Sequence, residues 1–232
     1  MFEEHKYEEL KKLGTELHIP IFEAFLKLEV FDKNGVLLTS HNQRSHSWVR
    51  NGYNFLFCNV AGKQTTDDTY AAGKLSIKDT GGTVRRGNVP SPYTTSSADD
   101  AGAGLRGAAG SALNGIVVGT GTDAESFEGY VLQTLIASGS GSGELDYSEQ
   151  KTHAITYTGG TKVLKNDLIR YFNNNSGASI GVNEVGLYYS MYVDGATARY
   201  SMQARDKQGA TVTIADTGQL KVTYTIQITF AG

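Results

Sequence analysis

Residues 221–230, Lys-Val-Thr-Tyr-Thr-Ile-Gln-Ile-Thr-Phe, alternate polar and apolar without a break. Successive side chains of a strand point to opposite faces, so Val222, Tyr224, Ile226, Ile228 and Phe230 share one face and the threonines, Lys221 and Gln227 the other. β-branched and aromatic residues suit a half-buried pleated surface. A slip of one residue would turn every apolar group outward, so the pairing is tightly specified. The pattern predicts burial of Val222, Ile226 and Ile228, and such a strand needs partners.

Several are legible upstream. Residues 24–32 (AFLKLEVFD) read as a strand with Leu26, Leu28 and Val30 inward. Asn34-Gly35 tolerates the positive φ of a hairpin turn, and 36–40 return from it before a polar 41–45. A short hairpin is expected about Gly81-Gly82, and 115–122 (GIVVGTGT) begin a second half. Residues 153–158 and 161–172 flank Gly159-Gly160, and 173–177 turn into 180–193. Asp194-Gly195 turn into 199–205, and Lys207-Gln208-Gly209 separate that strand from 211–214. Closely spaced strands with turn signals between them predict an all-β fold, an antiparallel β-sandwich of jelly-roll or immunoglobulin-like kind with short peripheral helices.

Four stretches stand apart. In 3–17, Tyr7, Leu10, Leu13 and Leu17 form a narrow apolar stripe on a charged helix with a Glu8–Lys12 pair. A helix this short is marginal alone, and docks either on its own domain or on a neighbouring chain. From Val49, Tyr53, Leu56, Phe57 and Val60 form one face of a helix that would cover a sheet, with Ser47 as N-cap and Gly62 after its end. Gly52 weakens that helix slightly. Residues 126–136 fit a short helix or an irregular segment, and 138–143 a flexible link. Residues 87–114 hold only Val89, Leu105 and Leu113 as aliphatics larger than alanine, too few to offset the ordering entropy of a long loop. The organisation expected is an N-terminal helical arm at 1–20 and a single sandwich domain at 21–232. Tyr7, Leu10, Leu13, Leu17, Leu105 and Leu113 are the expected subunit contacts.

At 232 residues the chain has length for one large all-β domain or two modest ones. Its net charge of −3 gives no global attraction to nucleic acid or anionic membrane. No run approaches the roughly 18–20 apolar residues of a membrane span. The single cysteine excludes a disulfide framework and a thiolate zinc cluster. The charged 1–12 stretch does not read as a signal peptide, so a cytoplasm is the expected place of synthesis and folding, with the sequon at Asn174 irrelevant.

Candidate chemistry is thin. Gly119-Thr120-Gly121-Thr122-Asp123-Ala124 has the form of a dinucleotide fingerprint, but hairpins follow it where a βαβ unit is required. His41, His46, Asp67 and Asp68 are too sparse for metal ligands. The pairs Asp99-Asp100, Asp123/Glu125 and Glu144/Asp146 match no calcium loop and lie where acidic residues are routine. No nucleophile elbow appears, and Cys58 falls within the second helix. Arg44 and Arg85-Arg86 are too isolated for a nucleic-acid footprint. Trp48, Tyr188, Tyr189 and Tyr192 suit a sugar-stacking surface, but core packing or subunit contact explains them more simply. The expectation is no enzyme, no catalytic residue, no metal and no cofactor.

Phrases of the chain carry a resemblance. In order they are "DKNG", "RSHSWVRNGYNFLF", "GIVVGTGTDAESFEGYVLQTLI", "YFNNNSGASIGVNEVGLYY", "SMQARD" and "GQLKVTYTIQITF". Together they resemble a class of tailed-bacteriophage structural proteins, over most of the chain except the first helix and 87–114. The resemblance implies a virion component of the tail or head–tail region that assembles with itself in a ring or lattice and with other virion proteins. A capsid decoration protein, or a tail module binding carbohydrate or a host-surface glycan, are the alternatives. Neither nucleic acid nor membrane is an expected partner.

Overall fold

The computed structural model describes residues 2–45, 47–61, 76–85, 100–193 and 197–230. The described residues form α1 (Phe2–Glu16), β1 (Ile21–Phe31), β2 (Leu37–Ser45), α2 (Arg50–Ala61), β3 (Ile77–Lys78) and β4 (Val84–Arg85). They continue with β5 (Gly115–Gly119), β6 (Asp146–Tyr147), β7 (Ala154–Thr158), β8 (Val163–Asn173), β9 (Ile180–Val193), β10 (Thr197–Ile214) and β11 (Gln219–Thr229). The fold is all-β and antiparallel, with two short helices among the described residues.

The alternating stretch that dominates the sequence is β11, and it takes the middle of the larger sheet. It pairs with β1 from Phe31↔Gln219 to Ile21↔Thr229 and with β8 from Asn173↔Gln219 to Val163↔Thr229. Outward from these lie β2 beside β1, and β6 and β7 at opposite ends of β8. The second sheet runs β10-β9-β5, and β3 and β4 form a separate hairpin. Leu26, Leu28, Leu168, Phe172, Val222 and Tyr224 from the first sheet share one core with Ile116, Val182, Leu187, Met202 and Ile214 from the second. Each such side chain contributes about 1.5–3 kcal/mol on leaving water.

Local chemistry sets the turns. Between β1 and β2, the Asp32 carboxylate accepts from the Asn34 and Val36 amides, each at 2.8 Å, while Gly35 takes φ +78°. Gly82 takes φ +82° between β3 and β4.

Some expectations are corrected. The polar 41–45 continue β2, because β1 pairs with them as far as Ser45. Lys207-Gln208-Gly209 do not end a strand: β10 runs through them, its register against β9 shifting between Lys207 and Val212. Of the two alternatives for residues 126–136, the irregular segment is the one found. Residues 138–143 are no flexible link, since the Gly139 amide donates to the Leu145 carbonyl and the Gly141 amide to the Glu144 carboxylate. Asp194-Gly195, Gly62 and 86–99 of the long loop lie outside the described residues.

Candidate interaction surface

Charged side chains buried in the sandwich hold its irregular segments. Arg170 projects from β8 into the core with no exposed surface. Its Nε donates to Ser148 O, one terminal nitrogen to Asn114 O and Ile116 O, and the other to Ala108 O and Ser111 O, at 2.6–3.0 Å. A guanidinium has five N–H donors, and five main-chain carbonyls receive them. Desolvation lowers its pKa to about 10, and the Tyr147 ring lies 4.8 Å from the guanidinium carbon. Gln150 adds two bonds, accepting from Ile116 N and donating to Leu105 O. Residues 100–114 are thus fixed by their own chain, and Leu105, an expected subunit contact, packs against its own core. Leu113 is half exposed.

Glu184 of β9 does the same for 119–134. Fully buried, its carboxylate accepts from the amides of Gly121, Gln133 and Thr134 and from Arg205 Nε at 2.6 Å. The Arg205 terminal nitrogens donate to Ala124 O and Asp123 O, and the Tyr188 hydroxyl accepts from Leu132 N. The glycine fingerprint is therefore a turn around the protein's own carboxylate. A Cβ on Gly121 would lie 2.5 Å from Glu184 Oε1 and from Gln133 Cβ, so the glycine serves close approach.

The other candidates have local partners. The Glu125 carboxylate accepts from Lys207 N, Glu144 closes its own turn, and Asp146 faces Asn173. His46, Asp67, Asp68, Arg86 and Asp99 lie outside the described residues, among which no metal-binding group of histidine, cysteine and carboxylate occurs. Cys58 is buried, and burial raises its thiol pKa. The sugar-stacking set is dispersed: Tyr188 is in the core, Tyr189 packs on Phe55, and Trp48 meets Phe22 edge-on at 5.2 Å. The side chain of Tyr192 is outside the description.

α1 docks on its own sheet through charge. Arg44 of β2 bridges Glu4 of α1 and Glu23 of β1, both at 2.6 Å, and stacks on Tyr7, while Lys11 reaches Glu23 at 3.4 Å and pairs with Glu8. Gly14 fits against Ile21, where a Cβ would meet Cδ1 at 2.6 Å. The apolar stripe is not the docking face: Leu10, Leu13 and Leu17 are about half exposed.

Of the apolar face expected for α2, only Val49, just before the helix, is buried in the core. The buried face of the helix itself is Asn51, Gly52 and Cys58. Asn51 makes both amide bonds to the Lys78 backbone, at 2.8 and 2.9 Å, and Asn54 donates to Ser76 O. A Cβ at Gly52 would come within 2.6 Å of Gln203 O, so this is where helix and strand touch. The chain enters the helix along β10, where Arg205 N donates to Ser47 O and Val49 N to Gln203 O, so Val49 and not Ser47 directly precedes it. The stripe Tyr53, Leu56, Phe57 and Val60 therefore points outward, 41–80% exposed.

A second open apolar face lies beside it. Directly paired residues share a face of a sheet, so Ala24, Ile226, Asn166 and Ile155 form one row and Phe22, Ile228, Leu164 and Tyr157 the next. These rows continue the core side of the larger sheet, but among the described residues the smaller sheet does not cover the outer one. Val222 and Tyr224 have no exposed surface, Ile226 and Ile228 are half-buried, and Phe230 is 42% exposed. The predicted burial holds in part: Ile226 packs against the core, whereas at Ile228 the alternation outruns the core that should cover it. Phe22, Trp48, Tyr53, Leu56 and Leu10 line a groove of about 210 Å³ joining this overhang to α2.

Comparison of the chain with protein-family models, with curated proteins and with solved structures finds no match in any of the three.

Proposed function

We propose that this chain is a non-enzymatic structural component of a tailed-phage virion, in the tail or head–tail region, working as a symmetric homo-oligomer. The observation that carries the reading is patterned apolar surface left open on a fold that is otherwise self-sufficient. Contiguous exposed apolar area beyond a few hundred Å² marks interaction sites, and here it belongs to regular elements, a helix stripe and a sheet face. The buried polar groups serve to order loops, as a scaffold requires. The ordered phrases that resemble phage structural proteins supply the virion assignment. Mass spectrometry of purified particles with copy number tests it: presence at a fixed multiple per particle is expected, and absence from particles rejects it. A multiple matching the capsid lattice would favour a decoration protein over a tail component.

One observation favours a second reading. Trp48, Tyr53 and Phe127 line a shallow groove of about 590 Å³ with Ser47, Glu125 and Ser126, a mixture of aromatic faces and oxygen groups that suits a sugar. Binding on a glycan array, lost in Trp48→Ala, would establish a tail-borne glycan-binding module.

A further inference from the structure

Two surfaces of this molecule each lack what the other is. Among the described residues the overhang is a sheet face without its second layer: Phe22, Ile155, Tyr157, Leu164 and Phe230 are 37–65% exposed there. The outer face of α2 is an amphipathic stripe without a sheet beneath it. A helix stripe on an open sheet face is one of the few stable ways to bury both. Within one chain the two only adjoin across the groove lined by Phe22, Tyr53 and Leu56, because Asn51, Gly52 and Asn54 fix α2 with its stripe outward. We infer that the occupant of each is a second copy of this chain, the α2 stripe of one copy packing on the sheet overhang of the next.

Charge and area fit this occupant. The overhang rows hold no charged residue and two polar side chains, Ser45, bonded to Asp206 and Tyr224, and Asn166, whose Oδ1 has no donor among the described residues; the stripe carries one charge at its start, Arg50, already paired with Glu128. The charges Glu23, Lys165 and Asp167 occupy alternate positions on the opposite face of the sheet. Copies thus meet without burying an unpaired ion or setting like charges together. With full side-chain surfaces of about 150–250 Å², the overhang leaves roughly 500 Å² open and the stripe roughly 400 Å². With a polar rim, that reaches the roughly 1,000 Å² total of a specific contact. A contact between unlike surfaces that repeats from copy to copy is head-to-tail, and such contacts build a ring where the rotation between copies closes and a filament where it does not. The inference rests on the reading of the chain as a self-assembling component and adds the two surfaces and their polarity.

Mixing single-surface variants is the test. Light scattering should give wild type several times the 25.0 kDa chain mass. Tyr157→Glu on the overhang and Phe57→Glu on α2 should each give the single-chain mass while melting as wild type does, since both side chains are more than half exposed. An equimolar mixture should give twice that mass, because one intact sheet face and one intact stripe remain. Ile155→Glu and Tyr53→Glu replace any variant that misfolds. A monomeric wild type, a mixture that stays monomeric, or loss of assembly in Tyr157→Glu but not in Phe57→Glu would each overturn the inference. The last would point to sheet-on-sheet dimers. A monomer that is still found in particles sinks this contact and leaves the virion reading standing; a ring-former absent from particles does the opposite.

Discussion

Arg170 and Arg205 are both buried guanidiniums whose terminal nitrogens hold the backbone of an irregular segment, and they neutralise their charge differently. Arg205 faces the carboxylate of Glu184, which is itself bonded to three amides. Arg170 has five carbonyl dipoles and no carboxylate among its hydrogen-bond partners. An ion pair needs two side chains and can be removed as a unit; a cation solvated by backbone needs the whole loop and cannot. The difference separates a replaceable clamp from one that is part of how the 108–116 segment folds.

Arg170→Met should have the largest effect. It strands five carbonyls, those of Asn114 and Ile116 buried and those of Ala108, Ser111 and Ser148 part-buried, each losing a charge-assisted bond of about 1.5–3 kcal/mol, partly regained through water. A loss of about 4 kcal/mol or more in urea unfolding is expected, and under about 1 kcal/mol would show the carbonyls to be hydrated already. Arg205→Met should cost about 3 kcal/mol because it leaves Glu184 buried without its cation. Adding Glu184→Gln should return part of that loss, whereas no second substitution should rescue Arg170→Met. Equal behaviour of the two sites in this cycle would dissolve the comparison. Gly121→Ala, which crowds Glu184 without changing a charge, should cost about 1–3 kcal/mol through displaced packing, read as a lowered Tm. Ile226→Ala, where a buried side chain would cost about 2–5 kcal/mol, should fall toward the low end, since that side chain is only half-buried.

Acid should distinguish Arg44, the partly exposed guanidinium, from both. Burial pushes the Glu23 carboxyl up, but hydrogen bonds from Arg44 and Gln227 outweigh it and hold the group below the ordinary carboxylate range. Arg44 lowers Glu4 likewise. A carboxylate lowered by folding contributes stability that is present above its unfolded pKa and lost as pH falls through the folded one. Protection of the α1 amides, taken relative to the intrinsic exchange rate at each pH, should therefore fall on acidification below the ordinary carboxylate range, while the Arg170 clamp, which contains no carboxylate, does not respond. Unchanged α1 protection there would mean that Gly14 and Ile21, not the ion pairs, dock the helix.

The frame of this fold was legible where periodicity and side-chain chemistry agree. Leu26, Leu28 and Val30 alternate as they are buried, and Asn34-Gly35 marks its turn. Arg170 and Glu184 were not legible, because a charge within a strand reads as a solvent-facing position until the carbonyls or amides around it are seen. α2 was read inside out for a related reason. Apolar residues at helical spacing usually face the core, but Asn51 and Gly52 fit closer to neighbouring backbone than Tyr53 or Phe57 could. The same excess of pattern over core appears at Ile228 and Phe230. Periodicity says that a face is to be covered; it does not say by which chain.

The central place of β11 also governs the order of events during synthesis. Between the emergence of β1 and that of β11 the ribosome must add nearly 190 residues, and until then β1 and β8 have no common neighbour. The β1–β2 hairpin waits with Leu26, Leu28 and Val30 uncovered, and a lone hairpin is only marginally stable in water. The larger sheet therefore closes late, when its middle strand slots between two that are already made. Slow elongation before residue 219 lengthens the interval in which those unpaired strands are open to aggregation, so yield of the folded chain depends on how quickly its last strand follows.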